Sequence, residues 1–303
     1  MGKLKGIIPA FYACYDMDGN VCVDTTKRLV RYFINKGVDG LYVCGSSGEC
    51  IYLSKCERRI TLEAVMEEAK GEIKIIAHVA CNNTKDSMEL AAHAESLNVD
   101  YIAAIPPIYF KLPEVSIAKY WNDISSAAPN SEFMIYNIPQ LAGVSLTSSL
   151  FRLMLENDKV SAVKNSSMAL LDIQTYKSIA GSDFSVFNGP DEQLLGGLAI
   201  GADGGIGGTY GVMCELYIGL YKAFNDRDLV LANNIQSDCL DIINVIVSAK
   251  GNMYAIIKEV IKRRTGIDCG GVRLPLLGVY DSDESIIVRV IDMIDSALFK
   301  YKL

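Results

Sequence analysis

Short apolar segments alternate with longer amphipathic segments along most of the chain, and this alternation limits the possible folds more than any other feature. The apolar segments lie at residues 6–15, 40–44, 73–80, 101–105, 132–136, 160–164, 184–187 and 204–207. The amphipathic segments between them have helical spacing and lie at residues 25–36, 55–69, 85–97, 115–128, 148–156, 170–180 and 192–200. The pattern predicts repeated β–α units.

The apolar segments are nearly continuous rather than alternating, which is typical of strands buried on both faces of a parallel sheet. Eight such units favour a (β/α)8 TIM barrel, with a doubly wound open sheet as the alternative. The eighth strand has the weakest signal because residues 201–211 are rich in glycine.

After Tyr210 the pattern is purely helical. Helical spacing continues through residues 212–225, 229–248, 252–264 and 284–301. One of these helices completes the barrel, so we expect a barrel over residues 1–225 and a helical appendage packed on it over residues 226–303.

Several residues mark expected helix ends. Polar residues at 24–26, Ser54 and residues 83–84 are typical of helix N-caps. Gly37, Gly71 and Gly181 are typical of helix C-termini.

Composition excludes several classes of protein. The chain has 303 residues, 50% of them apolar, which is too apolar for a disordered protein. No uninterrupted apolar run reaches the roughly 18–20 residues that a membrane-spanning helix needs. The net charge is −7 and no basic block occurs, which argues against nucleic acid or anionic membranes as partners.

Cysteine and histidine usage limits the chemistry. The nine cysteines are an odd number and form no C-x-x-C pair, which predicts reduced thiols in a cytoplasmic protein. The first segment contains Pro9 and is followed by Asp16 and Asp18, so we interpret it as a strand and not a signal peptide. The two histidines, His78 and His93, lie in apolar or helical segments and are expected to be packing residues. We therefore expect lysine, tyrosine, serine or carboxylate side chains to carry out any acid–base and nucleophilic catalysis.

Polar clusters follow the predicted strands at their C-terminal ends, where barrel enzymes carry their catalytic residues. The clusters share this one face of the barrel, and they begin at Gly45, Pro106, Tyr136, Lys164, Asn188 and Gly207.

Lys164 is the most informative residue of these clusters. It ends a buried strand, and burial disfavours the charged form of a lysine. A neutral amine can form a Schiff base with a ketone. By position alone, a lysine that extends to solvent or pairs with a carboxylate is an equally good interpretation.

The other clusters each have two interpretations. Tyr136 is either a proton shuttle or an aromatic residue of the barrel core. The turn at residues 45–49 offers hydroxyls and backbone N–H groups that suit a carboxylate or phosphate, but such turns are common. Asp191 and Glu192 either accept hydrogen bonds from sugar hydroxyls or begin the next helix.

Five motifs together resemble the N-acetylneuraminate lyase and dihydrodipicolinate synthase family of Schiff-base aldolases. They are G-S-S-G-E at 45–49, Y-N-I-P at 136–139, V-K-N-S-S at 163–167, N-G-P-D-E at 188–192 and G-A-D-G-G-I-G-G-T-Y at 201–210. They occur in the family's order and spacing, and the similarity covers essentially the whole chain.

The resemblance implies roles for named residues. Lys164 would form an imine with a 2-oxo acid, and Tyr136, acting through the substrate carboxylate and Ser46, would move the proton. Ser46 and Ser47 would bind the carboxylate, and Tyr109 would reach the active site of a neighbouring subunit of a homotetramer. The residues that would line the sugar side are Ser166, Gly189, Asp191, Glu192 and Gly208. No metal or diffusible cofactor is implied.

The lyase branch of the family fits better than the synthase branch. The synthase carries an arginine two residues after the proline of Y-N-x-P, whereas this chain has Gln140 and Leu141 after Pro139. The resemblance therefore implies cleavage of the sialic acid N-acetylneuraminate to pyruvate and N-acetylmannosamine. The lyase usually has serine where this chain has Gly208, which leaves the substrate open.

Three alternatives follow. The chain is a related 2-oxo-acid aldolase with a different aldehyde, a dihydrodipicolinate synthase, or a non-catalytic sugar-binding module. The complete set of Lys164, Tyr136 and Ser46 argues against the last.

Overall fold

A computed structural model describes residues 3–303. Eight strands form one sheet in the order β1-β8-β7-β6-β5-β4-β3-β2. Their bounds are β1 Gly6–Pro9, β2 Gly40–Val43, β3 Lys74–His78, β4 Tyr101–Ala104, β5 Glu132–Asn137, β6 Val160–Asn165, β7 Ser185–Asn188 and β8 Gly204–Gly207. A parallel bridge between Ala10 and Tyr42 joins the chain after β1 to β2, the last strand in that order. The predicted (β/α)8 TIM barrel with a C-terminal helical extension is confirmed.

Twelve α-helices are present among the described residues. They are α1 Val23–Lys36, α2 Lys55–Ala69, α3 Thr84–Ser96, α4 Glu114–Ser126, α5 Pro139–Ala142, α6 Ser148–Met154, α7 Leu170–Ala180, α8 Leu194–Ala199, α9 Cys214–Asn225, α10 Leu229–Val247, α11 Met253–Thr265 and α12 Glu284–Tyr301. None of the helices within residues 3–303 is long and apolar enough to cross a membrane.

The chain divides into two compact units. The first contains the residues up to Gly6 and Lys74–Ile206, which include β3 to β7 with α3 to α8. The second contains Ile7–Ile73 and Gly207–Leu303, which include α1, β2, α2 and α9 to α12. The boundary expected between residues 225 and 226 stays a prediction.

The first and last strands differ from their sequence signals for local reasons. The apolar segment predicted at residues 6–15 is a strand only over Gly6–Pro9. Pro9 has no N–H to donate and so interrupts the ladder, and beyond it pairing continues as a bridge from Ala10 to Tyr42. The glycine-rich segment does form β8. A side chain at Gly204 would place its Cβ 2.0 Å from the Gly6 carbonyl oxygen, so only glycine fits there.

Helix caps follow the sequence in most places. Ser54 accepts a hydrogen bond from the Glu57 backbone N–H, and Asn83 accepts one from that of Asp86. Gly37 has φ 78° and ends α1, and Gly181 ends α7. The other two caps are different. Cys22 is the N-cap of α1, which places residues 24–26 inside the helix, and Lys70 caps α2 one residue before Gly71.

Two helical details depart from the prediction. The helix predicted at residues 192–200 is a 3-10 turn at Asp191–Gln193 followed by α8, because Gln193 has the non-helical angles φ −131°, ψ 26°. The four-residue helix α5 was not predicted. It begins with Pro139 at its first position and ends at Gly143, which has φ 69°.

Candidate active site

Three neighbouring strands each end in an asparagine that follows an aromatic residue or a lysine. β5 ends in Tyr136-Asn137, β6 in Lys164-Asn165 and β7 in Phe187-Asn188. The parallel register pairs Tyr136 with Lys164, and Asn165 with both Asn137 and Asn188. Three asparagines therefore form a row across the strand ends, beside a row that contains the tyrosine and the lysine.

Lys164 and Tyr136 are in direct contact. Their residues are 4% and 3% exposed, and the Lys164 Nζ atom lies 4.2 Å from the centroid of the Tyr136 ring. Burial penalises a charged amine, whereas the face of an aromatic ring attracts one. The structure thus places a potential nucleophile beside a potential proton donor.

The His78 side chain packs against Tyr136. Its ring meets the Tyr136 ring edge-on, with centroids 6.0 Å apart and an angle of 86°. The backbone N–H of Ile105 donates to His78 Nε2 at 3.4 Å. His78 is buried, as predicted, but its contact with Tyr136 was not foreseen. That contact joins β3 to β5 across β4, so no local pattern indicates it.

The asparagine row forms a buried hydrogen-bond network. Asn137 Nδ2 donates to Asn165 Oδ1 at 2.7 Å, and Asn137 Oδ1 accepts from the Leu146 backbone N–H at 3.0 Å. The Tyr176 hydroxyl donates to the Leu146 carbonyl at 2.8 Å, and burial raises the pKa of Tyr176, so that the phenol stays protonated. The network holds the ends of β5 and β6, one residue beyond Tyr136 and Lys164. The repeated aromatic-or-lysine–asparagine pattern was the available sequence signal.

Two predicted substrate residues lie against each other. A Cβ at Gly189 would come 2.0 Å from Ser166 Oγ, so a residue with a side chain does not fit at this position. The Gly189 N–H donates to the Asn165 carbonyl at 2.8 Å, and the Ser166 N–H donates to the Asn137 carbonyl at 2.7 Å. These bonds place residues 166 and 189 directly after the strands that carry Lys164 and Asn188.

Asp191 and Glu192 differ in exposure. They lie in the 3-10 turn that follows β7, where Asp191 is buried and Glu192 is exposed. Carboxylates accept hydrogen bonds only, which suits a partner that carries hydroxyls.

Gln140 is held beside this group of residues. Its Nε2 donates to the Ser166 carbonyl at 3.0 Å, while Leu141 is exposed. No cationic side chain occupies either position.

The second compact unit contains the other predicted group, the turn at residues 45–49. The Gly48 N–H donates to the Gly45 carbonyl at 3.1 Å, and the Glu49 N–H donates to the Ser46 carbonyl at 3.0 Å. Ser47 Oγ donates to the Tyr254 hydroxyl at 3.2 Å. Tyr254 was not identified from the sequence, because it lies far along the chain on α11.

The space beside Gly208 is occupied. A Cβ at this position would lie 3.2 Å from Ser47 Oγ and 3.3 Å from the Tyr254 hydroxyl oxygen. Two hydroxyls of the chain thus border the position where the lyase branch usually has serine.

Tyr109 is exposed. It is 90% exposed, has φ 86°, and its ring lies edge-on to that of Phe110 with centroids 5.0 Å apart. Residues other than glycine rarely adopt such a φ, so the surrounding structure must hold the Tyr109 backbone in this conformation. The Ile108 N–H donates to Asn82 Oδ1 at 3.1 Å, which fixes the residue before it.

Among residues 3–303, no cluster of three or more histidine, cysteine or acidic side chains is arranged to bind a metal. The nine cysteines, all within this range, form no disulfide.

Comparison with known proteins gives consistent matches over most of the chain. The model of the dihydrodipicolinate synthetase family matches residues 3–293. The N-acetylneuraminate lyase of Mediterraneibacter gnavus is 56% identical over 99% of this chain and 95% of its own length. That of Citrobacter koseri is 35% identical over 85% of this chain and 86% of its own length.

The fold has close matches among solved structures. A catalytic lysine mutant of the Ruminococcus gnavus sialic acid aldolase superposes with a TM-score of 0.98 at 55% identity, covering 99% of this chain and 100% of that one. The family match and the two relatives agree with the five motifs. The chain therefore belongs to the dihydrodipicolinate synthetase family.

Proposed function

We propose that this chain is a Schiff-base (class I) aldolase that cleaves N-acetylneuraminate reversibly to pyruvate and N-acetylmannosamine. The observation that carries the proposal is the buried contact between Lys164 Nζ and the Tyr136 ring. It occurs in a chain that is 56% identical to an N-acetylneuraminate lyase. A catalytic lysine in a solved relative also supports it.

Lys164 is the nucleophile of this reaction. Its neutral amine adds to the C2 ketone of the open-chain sugar acid, and loss of water leaves an imine. The protonated imine accepts the electron pair of the C3–C4 bond as that bond breaks. The products at this stage are an enamine on Lys164 and the aldehyde N-acetylmannosamine.

Tyr136 moves the proton. Acting through the substrate carboxylate and Ser46, it removes the proton of the C4 hydroxyl and later returns one to C3 of the enamine. Water then releases pyruvate and regenerates the amine. The imine on Lys164 is the electron sink, so we assign no metal or diffusible cofactor to this chain.

The remaining site residues bind substrate. We assign the carboxylate to the hydroxyls and backbone N–H groups of Ser46 and Ser47, because such turns suit anions. We assign the sugar hydroxyls to Ser166, Gly189, Asp191, Glu192 and the segment at Gly208. The burial of Asp191 beside the exposed Glu192 supports a chain of hydroxyls that runs from the interior to the surface.

We further propose that the enzyme is a cytoplasmic homotetramer. The exposed ring and constrained backbone of Tyr109 support a contact with a neighbouring subunit's site. The barrel and the appendage would divide at residue 225. Besides the other subunits, we assign small-molecule partners and neither nucleic acid nor membrane.

A pyruvate-release assay over a panel of 2-oxo sugar acids tests the substrate. We expect N-acetylneuraminate to have the highest kcat/KM. Gly208 favours a second candidate, a related aldolase with another aldehyde, and a different best substrate would support it. No pyruvate release from any member of the panel would support a binding module instead.

The condensation direction separates the two branches of the family. A buried site that lacks a cation discriminates against a second carboxylate, because that charge stays unpaired. We therefore expect pyruvate to condense with N-acetylmannosamine and very poorly with aspartate semialdehyde. A faster semialdehyde reaction would contradict the lyase assignment and leave the Schiff-base mechanism intact.

A further inference from the structure

A fully buried ion pair holds the last residue of the 45–49 turn. Lys258 Nζ lies 2.7 Å from Glu49 Oε1, and the two side chains are 1% and 0% exposed. Glu49 Oε2 accepts hydrogen bonds from the Arg273 backbone N–H at 2.7 Å and the Tyr15 hydroxyl at 3.2 Å. Lys258 also donates to the Gly271 carbonyl at 2.8 Å. Both carboxylate oxygens and the ammonium group thus have partners.

An aromatic ring completes the surroundings of this pair. Lys258 Nζ lies 4.7 Å from the Tyr15 ring centroid, and the Arg273 guanidinium carbon lies 4.8 Å from it. Breaking a buried pair by removing one partner is costly, whereas neutralising both partners is often tolerated. A pair of this kind is weak evidence for stability alone, so its position in the fold is the informative feature.

The turn that the pair holds has an unusual backbone. Cys44 and Glu49, which flank Gly45-Ser46-Ser47-Gly48, have φ of 58° and 54°. Residues with a side chain keep such angles only where surrounding contacts impose them. The buried carboxylate of Glu49 supplies such contacts at the end of the turn.

Helix α11 contacts the turn at two points. Tyr254 and Lys258 are four residues apart and therefore lie on one face of the helix. Tyr254 meets Ser47 Oγ at 3.2 Å, and Lys258 meets Glu49. The helix therefore holds both the middle and the end of the turn.

We propose that Glu49 and Lys258 are positioning residues that hold Ser46 and Ser47 in the geometry that binds the carboxylate of the 2-oxo acid. The proposal rests on the assignment of that carboxylate to Ser46 and Ser47. Under this proposal, helix α11 of the predicted appendage positions residues of the active site. Glu49 does not itself touch substrate, because its oxygens are taken by Lys258, Arg273 and Tyr15.

The test measures the rate at which borohydride traps pyruvate on Lys164 as a function of pyruvate concentration. The quantity compared between variants is the pyruvate concentration that gives half of the maximal trapping rate. The double variant E49Q/K258M removes both charges together, and thermal melting establishes that it is folded. A looser turn weakens binding to ground state and transition state alike, so we expect the half-saturating concentration to rise about tenfold. At saturating pyruvate, adduct should still form on Lys164.

The matched control is K36M/E215Q, which removes another ion pair of the same compact unit, with Nζ and Oε1 2.5 Å apart. We expect its half-saturating concentration to equal that of the parent. The single variant E49Q is the second test, because it keeps the shape of the Glu49 side chain but leaves the buried charge of Lys258 unpaired and turns an amide nitrogen toward the Arg273 N–H. It should give a rise in the same direction that is at least as large as that of the double variant.

Three outcomes would overturn the proposal. They are a folded double variant within twofold of the parent, an equal rise in the control, or the failure of both Glu49 variants to fold at the assay temperature. Absence of any adduct on Lys164 in the parent protein would instead overturn the proposed function, so the two failures are distinguishable.

Discussion

Tyr136 and Lys164 show what a single residue contributes in this fold. Each is the residue before the last of a mostly buried strand, and the parallel register places the two side by side. Strand ends that carry a tyrosine and a lysine could therefore be predicted from the apolar segments alone. The distance of 4.2 Å between the amine and the ring could not, because it depends on side-chain directions that a linear pattern lacks.

The contacts that sequence reasoning missed are all distant along the chain. His78 reaches Tyr136 from another strand, Tyr254 reaches Ser47, and Lys258 reaches Glu49. A histidine in an apolar segment or a lysine on an amphipathic helix carries no local sign of its partner. Only the assembled fold brings these residues together.

The first prediction concerns the Tyr136 hydroxyl. Tyr136→Phe keeps the ring against His78 and Lys164 and removes only the hydroxyl. Because general acid–base groups typically contribute about 10²–10⁴-fold, we expect kcat to fall by that factor while the protein stays folded. Tyr101→Phe is a suitable control, because Tyr101 is buried at the start of β4, the strand beside β5. Near-parental turnover of Tyr136→Phe would show that another group moves the proton.

At the scale of elements, the strands and helices follow the hydrophobic pattern, and their ends follow local chemistry. The eight strands and the long helices lie where periodicity indicates them. Pro9 interrupts the ladder at the end of β1, and the angles of Gln193 separate the 3-10 turn from α8. Such ends depend on one backbone angle or one missing N–H, which periodicity does not report.

The second prediction concerns the turn before α12. The backbone N–H of Tyr280, with those of Lys250 and Gly251, donates to Asp283 and holds the pKa of this carboxyl below its usual range. A lowered pKa stabilises the fold above the carboxyl's ordinary value of about 4, and the stabilisation is lost as pH falls through the lowered value.

Asp283→Asn should therefore lower the urea midpoint of unfolding at pH 7, because an amide nitrogen then faces a backbone N–H. The difference from the parent should narrow as pH is lowered below about 4. Asp281→Asn, in the same 3-10 turn but exposed, is the control and should leave the midpoint nearly unchanged. A gap that stays constant with pH would contradict the proposed cause.

At the scale of the whole molecule, the barrel topology followed from counting β–α units, and the five motifs indicated the family. The role of α11 was not predictable. Its amphipathic pattern is the same as that of any covering helix, and only the contacts of Tyr254 and Lys258 connect it with the 45–49 turn.

The third prediction concerns assembly. If the exposed ring of Tyr109 reaches a neighbouring subunit's site, as we propose, the active protein should be a tetramer. Light scattering should give four times the chain mass of 33.1 kDa for a fully active sample. A fully active sample with the mass of one chain would refute the tetramer and the role of Tyr109 together.

The most direct test of the central claim is the identity of the residue that pyruvate labels. Incubation with pyruvate and borohydride, followed by peptide mass mapping, should place one reduced three-carbon adduct on Lys164. The adduct and turnover should both be absent in Lys164→Ala, while Lys177→Ala, which changes a lysine held by Asp203, should keep the adduct. An adduct on any other lysine, or none on the active parent protein, would contradict the Schiff-base role of Lys164.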